Sequence, residues 1–254
     1  MENNDTVSQE HKLAVGTAFG SIARFYDAWY STPLGNYVWK VESAAIAAAL
    51  SDRIEGVALD LGAGSGLSME LLLQRGAFTV GVDLSWQMIA VAREKLYTNP
   101  RADFVLADGE QLPFREGVVE LVSGITVLEF LPNPPQMLEQ IRKVLRPGGQ
   151  LVFGILSSTS IWGIERRIRT FARRDIFALA WFPTPWQITR LLRRAAFAAI
   201  RYRGSVYACT LTPVRGLPTL AHLDKYWGKR WLSKSLGAFL VFRAKRPRVM
   251  PNPS

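Results

Sequence analysis

Thiols and imidazoles are scarce in this chain: 254 residues contain one cysteine, Cys209, and two histidines, His11 and His222. A lone cysteine excludes an internal disulfide, a four-cysteine zinc site and any chemistry that needs paired thiols, and it suits a cytoplasmic protein. No apolar run approaches the roughly 20 residues of a membrane span. The opening Met1-Glu-Asn-Asn-Asp5 is polar and acidic where a secretory signal is basic and then apolar. The expectation is a soluble chain that meets a membrane at its surface if at all. Acids are also few, 21 against 31 Lys and Arg, for a formal charge of +10. That excess is local, because Ile161 to Arg203 holds ten arginines and two acids, a net +8. A nucleic-acid binder would be basic more evenly and would carry a recognisable motif, so no specific nucleic-acid partner is expected.

With 48% hydrophobic residues the chain is long enough for one large α/β domain or one domain with a modest insertion. No internal repeat is visible, and strand and helix signals alternate. Leu13 to Leu50 carries aromatics and then an Ala-rich helical pattern. Val57 to Leu61 reads as a buried strand, followed by a glycine turn and a helix over Ser68 to Arg75. Phe78 to Val82 is a second strand, with Ser85 capping a helix that runs to about Tyr97. Phe104 to Leu106 and Val118 to Val122 follow as strands. Asn133-Pro-Pro-Gln136 opens a helix with an Asn cap and Pro at its first position, ending near Leu145. Pro147-Gly-Gly149 then turns into a fifth strand, Gln150 to Leu156. A helix from Thr184-Pro185 and strand-like runs near Ala199 to Cys209 and Gly237 to Arg243 complete the pattern, with Thr210 to Leu236 as an insertion near the ligand side. The predicted fold is a Rossmann-like, seven-stranded, mostly parallel sheet with helices on both faces and an antiparallel edge strand. Residues 1–50 read as a helical lid, 51–160 as the ligand-binding core, and 161–254 as a basic amphipathic segment plus the sheet-completing part.

The informative segment is Asp60-Leu-Gly62-Ala-Gly64-Ser-Gly66, between the first strand and its helix. Glycines there allow a sharp turn and close approach of a ligand. Asp83 ends the next strand, where an acid accepts hydrogen bonds from both ribose hydroxyls, so the pair points to an adenosine-containing cofactor. A dinucleotide fingerprint would need glycine at position 67, which is Leu67. A nucleotide-dependent oxidoreductase is therefore disfavoured. The G-x-G-x-G spacing resembles the first motif of class I S-adenosylmethionine-dependent methyltransferases. Ala107-Asp108-Gly109-Glu-Gln-Leu-Pro-Phe114, Glu120 to Glu129 and Val144 to Val152 are similar to that family's later motifs, in order. Ala23-Arg-Phe-Tyr26-Asp27 resembles an element that precedes the core in the quinone-biosynthesis type.

The resemblance implies S-adenosyl-L-methionine as cofactor and transfer of its methyl group to a small or lipid-like acceptor. It implies contacts from Tyr26, Asp60, Gly62, Ala63, Gly64, Gly66, Asp83, Leu84 and Met88. Asp108 would reach the adenine amino group with Gly109 beside it, and Gly124, Ile125 and Thr126 would lie along the methionine tail. Two departures stand out: Glu120 replaces a more usual Asp, and Ala196-Phe197 replaces a Gly-Phe pair. A methyltransferase-like protein that binds the cofactor without turnover is the alternative. An N-P-P-aromatic tetrad would signal amino-methylation of nucleic acid or protein, but the position after strand four holds Gly124-Ile-Thr-Val127.

The resemblance requires no fixed catalytic residue, because the sulfonium is already an activated donor and alignment dominates. Where an acceptor needs a general base, Glu129 is the best-placed acid, set against a reading as a solvated acid or ion-pair partner. His222 is the one histidine that could compete. Trp29, Tyr30, Tyr37 and Trp39 suit packing as well as substrate contact. From Ile161 onward, Ile161, Ile164, Ile168, Phe171, Ala172 and Leu179 fall on one helical face, with Arg166, Arg167, Arg173 and Arg174 opposite. Trp181-Phe182 lies beside them. That basic face is either solvated cover or a contact for anionic lipid or an acidic substrate.

Overall fold

Short apolar runs separated by glycine and proline turns become strands because each is too brief to bury a helix but long enough to cross a sheet. A computed structural model of the chain describes residues 2–172, 176–207, 226 and 234–248. The strands are β1 (Val57–Leu61), β2 (Phe78–Asp83), β3 (Ala102–Leu106), β4 (Val119–Ile125), β5 (Leu145–Leu156), β6 (Ala198–Ser205) and β7 (Phe239–Lys245). They form one sheet in the order β3-β2-β1-β4-β5-β7-β6. The first five pair in parallel, and β7 lies antiparallel between β5 and β6. The chain therefore reverses direction one strand in from the edge.

The α-helices are α1 (Glu2–Ile22), α2 (Pro33–Ala49), α3 (Met69–Gln74), α4 (Trp86–Leu96), α5 (Pro134–Val144), α6 (Ile161–Ala172) and α7 (Pro185–Arg194). The two faces of the sheet sort by the strand period of two. Leu59, Leu61, Phe153, Leu240 and Phe242 pack toward Met137, Leu138 and Ile141 of α5 and Ile188 and Leu192 of α7. Their neighbours Ala58, Leu121, Val152, Phe239 and Val241 pack toward Val38, Ala45 and Ile46 of α2, Leu72 of α3 and Trp162 of α6. Strand order reverses between β1 and β4, and Leu61 is level with Val82 and Gly124 at the carboxyl ends. A crevice forms there, as it does generally in such sheets.

Local signals behave as their chemistry dictates, with exceptions. Ser85 caps α4 by accepting from the Met88 N–H at 3.3 Å. Thr184 and Gln187 form a reciprocal capping box at α7. Asn133 makes no side-chain cap on α5. Its backbone N–H instead donates to the Glu110 carboxylate at 2.9 Å, and its amide to Gln136 at 3.1 Å, because the buried Glu110 needs donors more than the helix end does. Ala196 follows α7 in the left-handed region, at φ 58°. Glycine holds that conformation without the strain a Cβ brings.

The larger correction concerns α6. Ile161 and Ile164 are exposed, at 74% and 56%, while Trp162 is buried and Arg166 turns inward with it, one turn further on. Gly163 decides the rotation. A Cβ there would come within 2.2 Å of the Ser157 carbonyl oxygen, so the helix meets the preceding loop at this residue, and the large Trp162 ring gains more from burial than Ile161 does. Arg166 thus does not belong to a solvated basic face. The side chains of Arg167, Ile168, Phe171 and Ala172 lie outside the described residues, as do Arg173, Arg174, Cys209, His222 and most of the 210–236 segment. Among the described residues no helix is long and apolar enough to cross a membrane.

Candidate active site

Three glycines make the turn after β1, each for its own reason. Gly62, Gly64 and Gly66 all have left-handed φ, at 64°, 54° and 83°. A Cβ on Gly62 would strike Val127 at 2.7 Å, and one on Gly66 would press Leu96 and Ala92 of α4 at 3.2 and 3.3 Å. Gly64 differs, because its Cβ would meet nothing closer than the Gly62 carbonyl oxygen at 3.9 Å. That space opens into a cleft at the carboxyl ends of the strands. Glycine at 64 therefore leaves room where a ligand can lie against the backbone.

Asp83 organises the turn from the end of β2. One carboxylate oxygen accepts from the Gly64 N–H at 2.9 Å and the other from the Ser85 N–H at 2.8 Å. Burial pushes its ionisation up from the usual carboxylate range, and these N–H donors oppose the shift. A half-buried carboxylate facing a cleft, held by backbone donors, can still accept bonds from ligand hydroxyls.

The cleft, about 120 Å³, is lined by Tyr26, Gly62, Ala63, Gly64, Asp83, Leu84, Met88, Gly109 and Ile125 among the sites expected from sequence. The other four expected residues stand behind its wall. Asp60 is fully buried under the turn, accepts from the Ser68 hydroxyl at 2.6 Å, and is pushed up to about 7 by burial. Gly66 packs on α4, and Gly124 faces the Phe153 ring, where a Cβ would come within 2.7 Å. Asp108 is turned away by Lys12, whose ammonium bonds both Asp108 and Glu110 at 2.7 Å. Lys12 is only 9% exposed, and a buried ammonium needs such counter-charges.

Sequence reasoning named Tyr26 from the N-terminal segment but no residue of α1, which walls this cleft. Val15, Gly16 and Phe19 line it, and Phe19 meets Phe130 edge-on at 4.9 Å. His11 bonds the Phe130 carbonyl oxygen at 3.1 Å. Below α1, Asp27 accepts from Ser65 of the glycine turn at 2.5 Å and pairs with Lys95 of α4. The N-terminal segment thus closes over the turn through charge as well as apolar contact.

A second cavity of about 490 Å³ adjoins the first, and Phe19, Tyr26, Tyr30, Thr126 and Phe130 border both. Thr126 has a left-handed φ of 51°, a conformation a β-branched residue holds only when its surroundings impose it. Trp29 and Tyr30 line this second cavity and Trp39 the first, whereas Tyr37 is core. Two charged side chains reach its surface, Glu42 of α2 and Arg166 of α6. Glu42 is raised to about 8 by burial, against the pull of Arg166 and with the push of Glu129. Arg166 lies over the Trp162 ring at 4.8 Å and the Phe177 ring at 6.0 Å, and burial lowers it to about 10 against the carboxylates around it. A lone acid among Val38, Ala45 and Ile46 on one apolar helix face was the signal that could have singled out Glu42.

Glu129 lines neither cavity. It is fully buried, not solvated, and accepts from the Leu156 N–H. Burial raises it to about 7.

A family profile described as "Methyltransferase domain" matches residues 59–153. The chain is 28% identical over 211 residues to a demethylmenaquinone methyltransferase of Clavibacter sepedonicus, covering 74% of this chain and 84% of that one. It is 28% identical over 164 residues to a malonyl-[acyl-carrier protein] O-methyltransferase of Marinomonas sp., covering 64% of this chain. It spans only 58% of the length of that relative. Among solved structures, a Thermotoga maritima SAM-dependent methyltransferase, described as a possible histamine N-methyltransferase, superimposes with TM-score 0.70 at 19% identity, over 91% of this chain and 99% of that one.

Proposed function

From the membership of this chain in the class I S-adenosylmethionine-dependent methyltransferases, we propose that it transfers the methyl group of S-adenosyl-L-methionine to a small, largely apolar acceptor. The observation that carries this reading is the adjacency of the two cavities: the Gly64 and Asp83 cleft shares Thr126 and Tyr26 as lining with an aromatic cavity large enough for a small molecule. In this reading Asp83 binds the ribose hydroxyls, Gly64 gives the methionine portion backbone clearance, and Leu84 and Met88 flank the adenine. Ile125 and Thr126 position the tail, and Tyr26 covers it. When bound, the cofactor supplies a sulfonium methyl that needs no further activation. The protein's part is to hold the acceptor in line with that methyl and keep water out, which the closed N-terminal segment favours.

Calorimetry tests the cofactor. S-adenosylhomocysteine should bind in the micromolar range, about −8 kcal/mol, with NAD far weaker. Equal or tighter NAD binding overturns the reading.

A further inference from the structure

Resting on that transferase reading, we propose that the larger cavity takes an apolar, aromatic-sized acceptor bearing an acidic hydroxyl, that Glu42 accepts its proton, and that Arg166 stabilises the resulting oxygen anion. The walls supply the apolar part: Phe25, Trp29, Phe130, Trp162 and Phe177 surround a space of about 490 Å³. The charged groups in its lining are Glu42 and Arg166, which enter from different helices, beside the neutral hydroxyls of Tyr26, Tyr30 and Thr126. Aromatic boxes often recognise cations, but here Trp162 and Phe177 already face the chain's own guanidinium. A cationic acceptor would have to share the cavity with Arg166 in a medium of low dielectric, where like charges repel strongly. A neutral hydroxyl that becomes an oxyanion meets the opposite situation.

The step balances without any further reagent. The acceptor O–H bond breaks and its proton goes to the Glu42 carboxylate. An oxygen lone pair forms the new O–CH₃ bond, and the S–CH₃ bonding pair returns to sulfur, leaving S-adenosylhomocysteine. Glu42 must be ionised to accept the proton, and its raised value means that the active fraction grows as pH climbs toward about 8. The groups facing Glu42 are Arg166 from α6, Glu129 from the turn after β4, and Tyr26 and Tyr30 from the turn before α2. Their titration contributes to any profile, so a Glu42 variant is the control.

The probes are 2-naphthol and its permanently cationic analogue N,N,N-trimethyl-2-naphthylammonium, titrated into the full chain saturated with S-adenosylhomocysteine at neutral pH. The naphthol should bind about tenfold or more tightly than the ammonium. Arg166→Gln should close that gap and Arg166→Lys should keep part of it. With S-adenosylmethionine present, 2-methoxynaphthalene should appear, at a rate that rises with pH and levels above about 8. Glu42→Gln should bind naphthol and S-adenosylhomocysteine normally yet lose both the turnover and the pH rise, a loss in kcat with KM retained. Equal or tighter binding of the ammonium, or wild-type turnover by Glu42→Gln, overturns the proposal while the transferase reading stands. Failure of S-adenosylhomocysteine to bind overturns the transferase reading itself.

Discussion

Ala196 shows how a single backbone angle separates what is tolerated from what is best. A residue with a Cβ at φ 58° is strained, and the position needs only to end α7 and lead into β6. Ala196→Gly should therefore raise stability by about 1 kcal/mol, the left-handed strain of a Cβ less the extra backbone entropy that glycine loses, seen as a melting midpoint higher by about 2–4 °C. No change or a loss would show that the loop is held by other contacts. The opposite logic applies at Gly64, where the open space is kept for a ligand. Gly64→Val should abolish binding of S-adenosylhomocysteine by collision. Asp83→Ala should cost about 1–3 kcal/mol of affinity through lost charge-assisted hydrogen bonds. Because Asp83 also holds the Gly64 N–H, the alanine variant loosens the turn as well as the ribose contact. Circular dichroism and calorimetry on the same samples check both, and normal binding by either folded variant would move the cofactor elsewhere.

Among the elements, α1 and α6 depart most from a simple reading of period. The apolar stripe of α1 is weak, and what seats the helix is Lys12 between two carboxylates and Phe19 against Phe130. Lys12→Met keeps the apolar stem but leaves Asp108 and Glu110 without their shared cation. The expected result is faster hydrogen exchange in residues 2–22 and faster dissociation of S-adenosylhomocysteine, with the sheet unchanged. Unaltered exchange there would mean that Phe19 alone holds the helix. In α6 the burial of Trp162 and the close approach at Gly163 outweigh the periodic isoleucines. The described basic exterior then shifts to Arg190, Arg193 and Arg194 of α7, all exposed beside Trp186.

At the scale of the whole molecule, three buried acids set a pH trend. Asp60, Glu42 and Glu129 are raised to about 7, 8 and 7. A carboxyl raised in the fold is bound to its proton more tightly there than in the unfolded chain. Its stabilising effect is complete below its unfolded value near 4 and is lost as pH rises through the folded value. Stability should therefore decline from pH 5 toward pH 9. Glu42→Gln removes one of the three ionisations, so its melting midpoint should exceed that of the parent near pH 9, with the difference shrinking by pH 5. A constant difference across that range would mean that Glu42 is ionised throughout.

The chain alone determined the order of strands and helices, the glycine turn and the acid at the end of β2, because each is local: a run of period two, a turn that needs glycine, an acid at a fixed interval. It also specified the S-adenosylmethionine-type motif order from Val57 to Leu156. Only tertiary structure decided that Asp108 answers to Lys12, that Gly124 and Gly66 serve packing, that Arg166 faces inward, and that Glu42 and not Glu129 reaches the cavity surface. Those outcomes depend on which buried charge finds a partner and which large ring finds space, and both are settled between residues far apart in sequence.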